Sequence, residues 1–186
     1  MRTRRGLIVL SILLCGCVPS LYPLYTDEDV IFDPNLVGVW SEKDAKDKWA
    51  FSQEDNKTYK LVYTDEKGLP GEFIVHLVNV QDRLFLDLFP ADPNLKENDF
   101  YKAHLLPAHT FMKVEHINAT LRMAPMNPDW LNKYLEDHPD AIAHEKVDDR
   151  IVLTAKPKVI QAFLIRNEKT EGLFGDMSDL IKQESQ

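Results

Sequence analysis

Short runs of alternating apolar and polar residues fill most of the chain from Leu36 to Met126 and predict the strands of an antiparallel sheet. Each run is bounded by turn-forming residues, and many short strands in series are typical of a barrel or a sandwich. A ninth, weaker run follows at residues 150–154. The eight main runs are residues 36–40, 48–51, 58–64, 72–80, 83–89, 100–105, 110–117 and 120–126.

Helical spacing replaces the alternating pattern after residue 126. Asn127 is a suitable N-cap and Pro128 a suitable first helical residue, so we expect a helix from Pro128 to near His138. Residues 158–166 predict a second helix with an apolar stripe, and residues 173–181 a weaker third one.

One hairpin can be placed residue by residue. If Gln81 and Asp82 form a two-residue turn, His76 lies opposite Asp87 on the paired strand. The pair fits three interpretations: two mutually satisfied polar groups, a polar anchor in a pocket, or an acid and a base. Both faces of this hairpin are apolar, so the pattern leaves open which face is interior.

The first sixteen residues have the layout of an export signal. Arg2, Arg4 and Arg5 precede an apolar stretch at residues 6–14, and the small Gly16 follows. The stretch is too short to cross a bilayer, which needs about 20 apolar residues for roughly 30 Å of hydrocarbon. We therefore expect a cleaved signal peptide at residues 1–16.

The sequence Leu14-Cys15-Gly16-Cys17 resembles a bacterial lipobox. The resemblance implies cleavage between Gly16 and Cys17, a diacylglycerol on the Cys17 sulfur and acylation of the new amino group. Several acyl chains on one residue would hold a protein on a membrane durably. Val18 stands where inner-membrane retention commonly uses Asp, so the resemblance implies an outer-membrane lipoprotein facing the periplasm.

Cleavage would make the protein strongly acidic. Lys and Arg would fall from 22 to 19 against 30 Asp and Glu, so the formal net charge would move from −8 to −11. An acidic surface repels phosphate backbones, which argues against nucleic acid as a partner. We expect residues 17–35 to form a lipidated N-terminus, a tether and a packed strap, and residues 36–186 a single β-rich domain.

No motif in the sequence predicts an enzyme. A nucleophile elbow, a phosphate-binding glycine loop and a zinc-binding helix are all missing, and Cys17 is the one cysteine left after cleavage. His104, His109 and His116 have no spacing that defines a metal site. We therefore expect no catalytic residue, no cofactor and no metal.

Gly38-Val39-Trp40 is similar to the Gly-x-Trp signature of lipocalins. The resemblance implies a calyx in which Trp40 closes one end beneath an arginine of the last strand, for which Arg150 is the first match and Arg122 the second. The predicted fold is mainly β: an antiparallel lipocalin-like barrel or half-barrel with C-terminal helices, with an α+β arrangement as the alternative.

Two functions are compatible with such a protein. The first is binding of an apolar or amphipathic small molecule inside the barrel, with His76 and Asp87 as candidate polar contacts. The second is an envelope adaptor that binds a protein through surface aromatic residues such as Tyr22, Tyr25 and Trp130. The candidate apolar lining of a ligand site consists of Phe73, Val75, Leu77, Leu86 and Met112.

Overall fold

The computed structural model describes residues 17–92 and 95–184. The predicted signal peptide at residues 1–16, including Gly16 of the cleavage site, lies outside the described residues. The strands are β1 (Val30–Ile31), β2 (Gly38–Ser41), β3 (Lys48–Gln53), β4 (Thr58–Thr64), β5 (Pro70–Val80), β6 (Arg83–Pro90), β7 (Thr110–Ile117), β8 (Thr120–Pro125), β9 (His144–Val147), β10 (Arg150–Leu153) and β11 (Ser178–Lys182). The helices are α1 (Asp99–Lys102), α2 (Pro128–Asp137) and α3 (Pro157–Asn167), and a 3₁₀ turn spans Pro34–Leu36.

Eight antiparallel strands close into a barrel. The order round the ring is β5-β4-β3-β2-β11-β8-β7-β6, and β6 pairs again with β5 to complete it. Consecutive hairpins build the ring from β2 to β8, and β11 fills the remaining gap between β8 and β2. The prediction of a mainly β protein with an antiparallel barrel and C-terminal helices is therefore confirmed.

Two predicted elements are wrong. Residues 100–105, expected to be a strand, lie in and just after the short helix α1, whose first turn is capped by the Asn98 side chain. Residues 178–181, the end of the third predicted helix, lie instead in the strand β11. Five residues are too few for their spacing to distinguish a helix from a strand. The segment forms a strand because it pairs with the open edges of β2 and β8.

Two of the three helices predicted after β8 are present, as α2 and α3. Asn127 caps α2 as expected, since its side chain accepts hydrogen bonds from the amides of Asp129 and Trp130. The strand β10 forms as predicted, but it pairs with β9 in a separate two-stranded sheet outside the barrel.

The hairpin β5–β6 has the predicted register. Gln81 and Asp82 form the turn with φ angles of 50° and 63°, the left-handed conformation that two-residue hairpin turns require. His76 lies opposite Asp87 and Val80 opposite Arg83.

Apolar side chains are buried on both faces of the barrel wall. The inner face holds one cluster, which includes Trp40, Leu61, Leu77 and Leu86. The outer face of β5 and β6 contributes Val78 and Phe85 to a second cluster, completed by the N-terminal strap, α2, α3 and the small sheet. This second core explains why both faces of the hairpin are apolar in the sequence.

Trp40 belongs to the inner core of the barrel. Its side chain is fully buried, and its indole N–H donates to the carbonyl of Leu36 at 2.8 Å. The cation over its ring is Lys182, with Nζ 5.0 Å from the ring centroid. Gly38 has a φ of 144°, and a Cβ there would collide with the Lys182 side chain, so the glycine of the motif makes room for this lysine.

Arg150 does not occupy the position that the lipocalin resemblance implied. It begins β10 in the small sheet and its side chain is exposed. The last strand of the barrel is β11, which supplies Lys182 instead. Arg122, the second choice, pairs with Glu115 at 2.7 Å and Asp179 at 2.6 Å on the surface.

Candidate functional site

The interior of the barrel is filled where we expected a ligand. Val75, Leu77 and Leu86 all face inward, and none of them has water-accessible surface. A side chain that no water-sized sphere can touch is in contact with other atoms on all sides. Phe73 and Met112 share this face and are partly exposed.

His76 and Asp87 lie on the opposite, outer face of the wall, so the predicted site residues separate into two groups. Asp87 is fully buried beneath the N-terminal strap. One carboxylate oxygen accepts from the amide of Leu24 at 2.7 Å, and the other pairs with Nδ1 of His109 at 2.7 Å.

His76 is held by different neighbours from those of Asp87. Its Nε2 lies 3.4 Å from the Thr58 hydroxyl, and its ring packs against Tyr25 with 4.3 Å between centroids. Among the described residues its buried Nδ1 has no hydrogen-bond partner.

Burial lowers the pKa of His76, an effect that the charges of Asp87 and Asp55 partly offset. Burial and the nearby charges of Asp87 and Asp27 raise the pKa of Tyr25 to about 12.

The strap is fixed to the body directly after Cys17. Cys17 is exposed, whereas Val18 is already buried in the outer core. Ser20 exchanges two backbone hydrogen bonds of 2.9 Å with His109. Leu153 donates to the carbonyl of Pro19 and accepts from the amide of Leu21, both at 2.9 Å. The described chain therefore contains no extended tether between Cys17 and the body.

A second set of contacts fixes the far end of the strap. The carboxylate of Asp29 accepts hydrogen bonds from the amide and hydroxyl of Thr26, from Lys158 and from Gln161, the last two on α3. Burial alone would raise the pKa of Asp29, but these hydrogen bonds lower it well below its ordinary value.

An apolar groove lies on the outer face of β5 and β6, under the connection that leads to β7. Its volume is about 530 Å³. Ile74 and Phe89, which lie opposite each other in the hairpin, form part of its wall. Phe89 also packs on His109, with 4.5 Å between ring centroids, so the groove adjoins the Asp87–His109 pair. The remaining lining residues are Pro90, Ala91, Asp92, Leu95, Lys102, Leu105, Leu106 and Pro107.

The aromatic residues proposed for a protein interface are not a free surface patch. Tyr22, Tyr25 and Trp130 are each half-buried and packed against the outer core. Trp130 stacks on Tyr134 with 4.7 Å between ring centroids. The exposed aromatic residues lie instead on α1, where Phe100 is 80% and Tyr101 53% exposed.

Comparison with known proteins gives no family assignment: no family model, no curated protein and no solved structure matches the chain. Within residues 17–92 and 95–184, no three His, Cys, Asp or Glu side chains are grouped so that they could hold a metal ion. No helix in the same part of the chain is long and apolar enough to cross a membrane.

Three residues that hold the strap or Trp40 in place were not identified from the sequence. His109 looked like an ordinary strand histidine, yet it joins the strap to Asp87. Asp29 carried no local signal, because its partners on α3 lie 129 and 132 residues away. Lys182 lies one residue beyond the segment predicted to be helical, and its five-residue strand is too short for its spacing to identify it.

We predict that Asp87→Ala loosens the strap. The substitution leaves the Leu24 amide without its acceptor and Nδ1 of His109 without its partner, and a buried unpaired donor costs about 1–3 kcal/mol. Chemical denaturation should show a loss in this range, and hydrogen exchange at the Leu24 amide should accelerate. Asp140→Ala, at an exposed position, is the matched control. Equal stability of the two variants would contradict the role assigned to Asp87.

We predict a pH-dependent effect for Asp29→Asn. A carboxylate with a lowered pKa in the folded state stabilises the protein above the pKa of the unfolded chain, about 3.9, and this stabilisation disappears as the pH falls through the folded value. The variant should therefore be less stable than the unsubstituted protein at neutral pH, and the gap should narrow below about pH 4.

Denaturation across this pH range, with Glu66→Gln as an exposed control, measures that gap. A gap that stays constant from neutral pH to pH 2 would show that the charge of Asp29 does not stabilise the strap.

Proposed function

We propose that the mature protein is a non-catalytic binding protein of the bacterial envelope, anchored by acyl chains on Cys17 and facing the periplasm from the outer membrane. The position of Cys17 supports the anchor. Its side chain is exposed, and the packed body begins at the next residue. Lipid attached at this point would leave the fold undisturbed.

In this proposal the barrel is a scaffold and the ligand binds outside it. The observation that carries this assignment is the complete burial of Val75, Leu77 and Leu86. A ligand inside the barrel would have to displace these side chains, and a close-packed interior resists such a change. The groove outside β5 and β6 already has space, so it requires no rearrangement of the core.

The chemistry of the groove favours an apolar or amphipathic small molecule. Its lining is mostly aliphatic, with Phe89 as an aromatic wall and with one cation, Lys102, and one anion, Asp92. Sites of this size, with apolar walls and few polar groups, are typical for small ligands. A molecule with a hydrocarbon part and an acidic head could place the head near Lys102.

A second candidate is an envelope adaptor that binds a protein. The exposure of Phe100 and Tyr101 on α1 favours it. Aromatic side chains are enriched at the centres of protein interfaces, whereas a free surface seldom exposes two of them side by side. The interface would then lie on α1, not around Tyr22, Tyr25 and Trp130.

We predict that a fluorescent fatty-acid analogue, 11-(dansylamino)undecanoic acid, binds in the groove. Ile74→Glu places a carboxylate in the apolar wall and should weaken binding at least about tenfold, equivalent to about 1.4 kcal/mol. Val39→Glu is the matched control, because Val39 is also an aliphatic residue exposed on the outer face, on β2. Titration of dansyl emission measures both affinities. If the two variants bind equally well, the groove is not the ligand site.

We also predict that labelled palmitate is incorporated by the full chain and not by its Cys17→Ser variant. Fractionation of the cells should move the variant from the membrane to the soluble fraction. Equal labelling, or membrane association that does not depend on Cys17, would contradict the proposed anchor.

A further inference from the structure

The bonds around residues 19–21 restrict where the acyl chains can start. Pro19 and Ser20 are held by β10 and by His109 beside β7, and Val18 is buried. Two residues of extended chain span about 7 Å, so the Cys17 sulfur stays close to Pro19 whatever its own conformation. The lipid therefore leaves the body at one defined place on its surface.

Exposed aliphatic side chains surround that place. Leu21 is 41% exposed, Leu106 75% and Val147 57%. They line one shallow recess with Pro19, Ala108 and Val152. Leu106 also lines the groove described above, so the apolar surface continues to Leu105. We call the surface formed by Pro19, Leu21, Leu106 and Val147 the anchor face.

We propose that the anchor face lies against the lipid bilayer, with Leu21, Leu106 and Val147 inserted between the headgroups. The inference rests on the proposed acylation of Cys17. Acyl chains that begin beside Pro19 draw this side of the body onto the membrane, because no tether separates the two. Aliphatic side chains at such a contact are stabilised by burial about 5–10 Å into the headgroup region.

The charge pattern favours insertion over electrostatic attraction. Asp148, Asp149 and Arg150 also line the recess, so its charged residues are two acids and one base. The mature chain is acidic overall, which disfavours contact with anionic lipids. Zwitterionic lipid is therefore the surface that this face fits.

The orientation can be measured on the full acylated chain. The protein would be produced in bacteria, purified and reconstituted in phosphatidylcholine vesicles that contain nitroxide-labelled phosphatidylcholine. Two variants, Leu106→Cys and Val39→Cys, would each carry an environment-sensitive fluorophore on the new thiol. Val39 is the control because β2 stands four strands from β6 in either direction round the barrel.

We expect blue-shifted emission and several-fold stronger nitroxide quenching at position 106 than at position 39. Equal quenching at the two positions would overturn the orientation. A blue shift at position 106 without quenching would also overturn it, and would indicate that a second copy of the protein covers the face. The vesicles contain no other protein, so a partner cannot produce the expected result.

Intact mass measurement of the same preparation separates this inference from the proposed anchor. A chain that carries acyl groups on Cys17 but shows equal quenching retains the anchor and loses only the orientation. A chain without acyl groups would contradict the proposed anchor, and also the proposed orientation, which depends on it.

Discussion

The pairing of residues 19–21 with both His109 and β10 is the contact on which the rest of the molecule depends. Through it, one short segment joins the barrel to the two-stranded sheet. Asp87 strengthens this junction, because one of its carboxylate oxygens accepts from the Leu24 amide and the other pairs with Nδ1 of His109. Without the strap, the apolar outer face of β5 and β6 would be open to water, and α2 and α3 would lose much of the surface on which they pack.

The molecule thus has two cores separated by one layer of sheet. The inner core is formed by side chains of the barrel strands together with Leu36 of the 3₁₀ turn, whereas the outer core combines the N-terminal strap with α2, α3 and the small sheet. This division affects function, because a wall that is apolar on both sides can host a binding site on either one. The inner side is filled, so open space remains on the outer side, beyond the part that the strap covers.

The barrel could be predicted from the sequence, because alternation over six to eleven residues constrains a strand well. Thr58–Thr64 and Thr110–Ile117 begin and end where the pattern indicates. Leu180 could not be placed in this way, since a five-residue strand is defined by its neighbours and not by its own spacing. The facing of His76 and Asp87 also follows from the turn, and strand alternation places both on the face opposite Val75 and Leu77. Which face is interior could not be predicted, because the face of His76 and Asp87 is covered by a strap more than fifty residues away in the chain.

The barrel is closed only when β11 lies between β2 and β8. Lys182 of this strand donates to the Asn35 carbonyl across 147 residues of sequence. The gap between β2 and β8 is therefore filled by residues close to the end of the described chain. Until β11 is present, β2 and β8 each expose an unpaired strand edge, and such edges recruit other chains. A polypeptide in which Ser178–Lys182 has not yet been made or exported would therefore carry two unpaired strand edges, and loss of these residues would leave the barrel open.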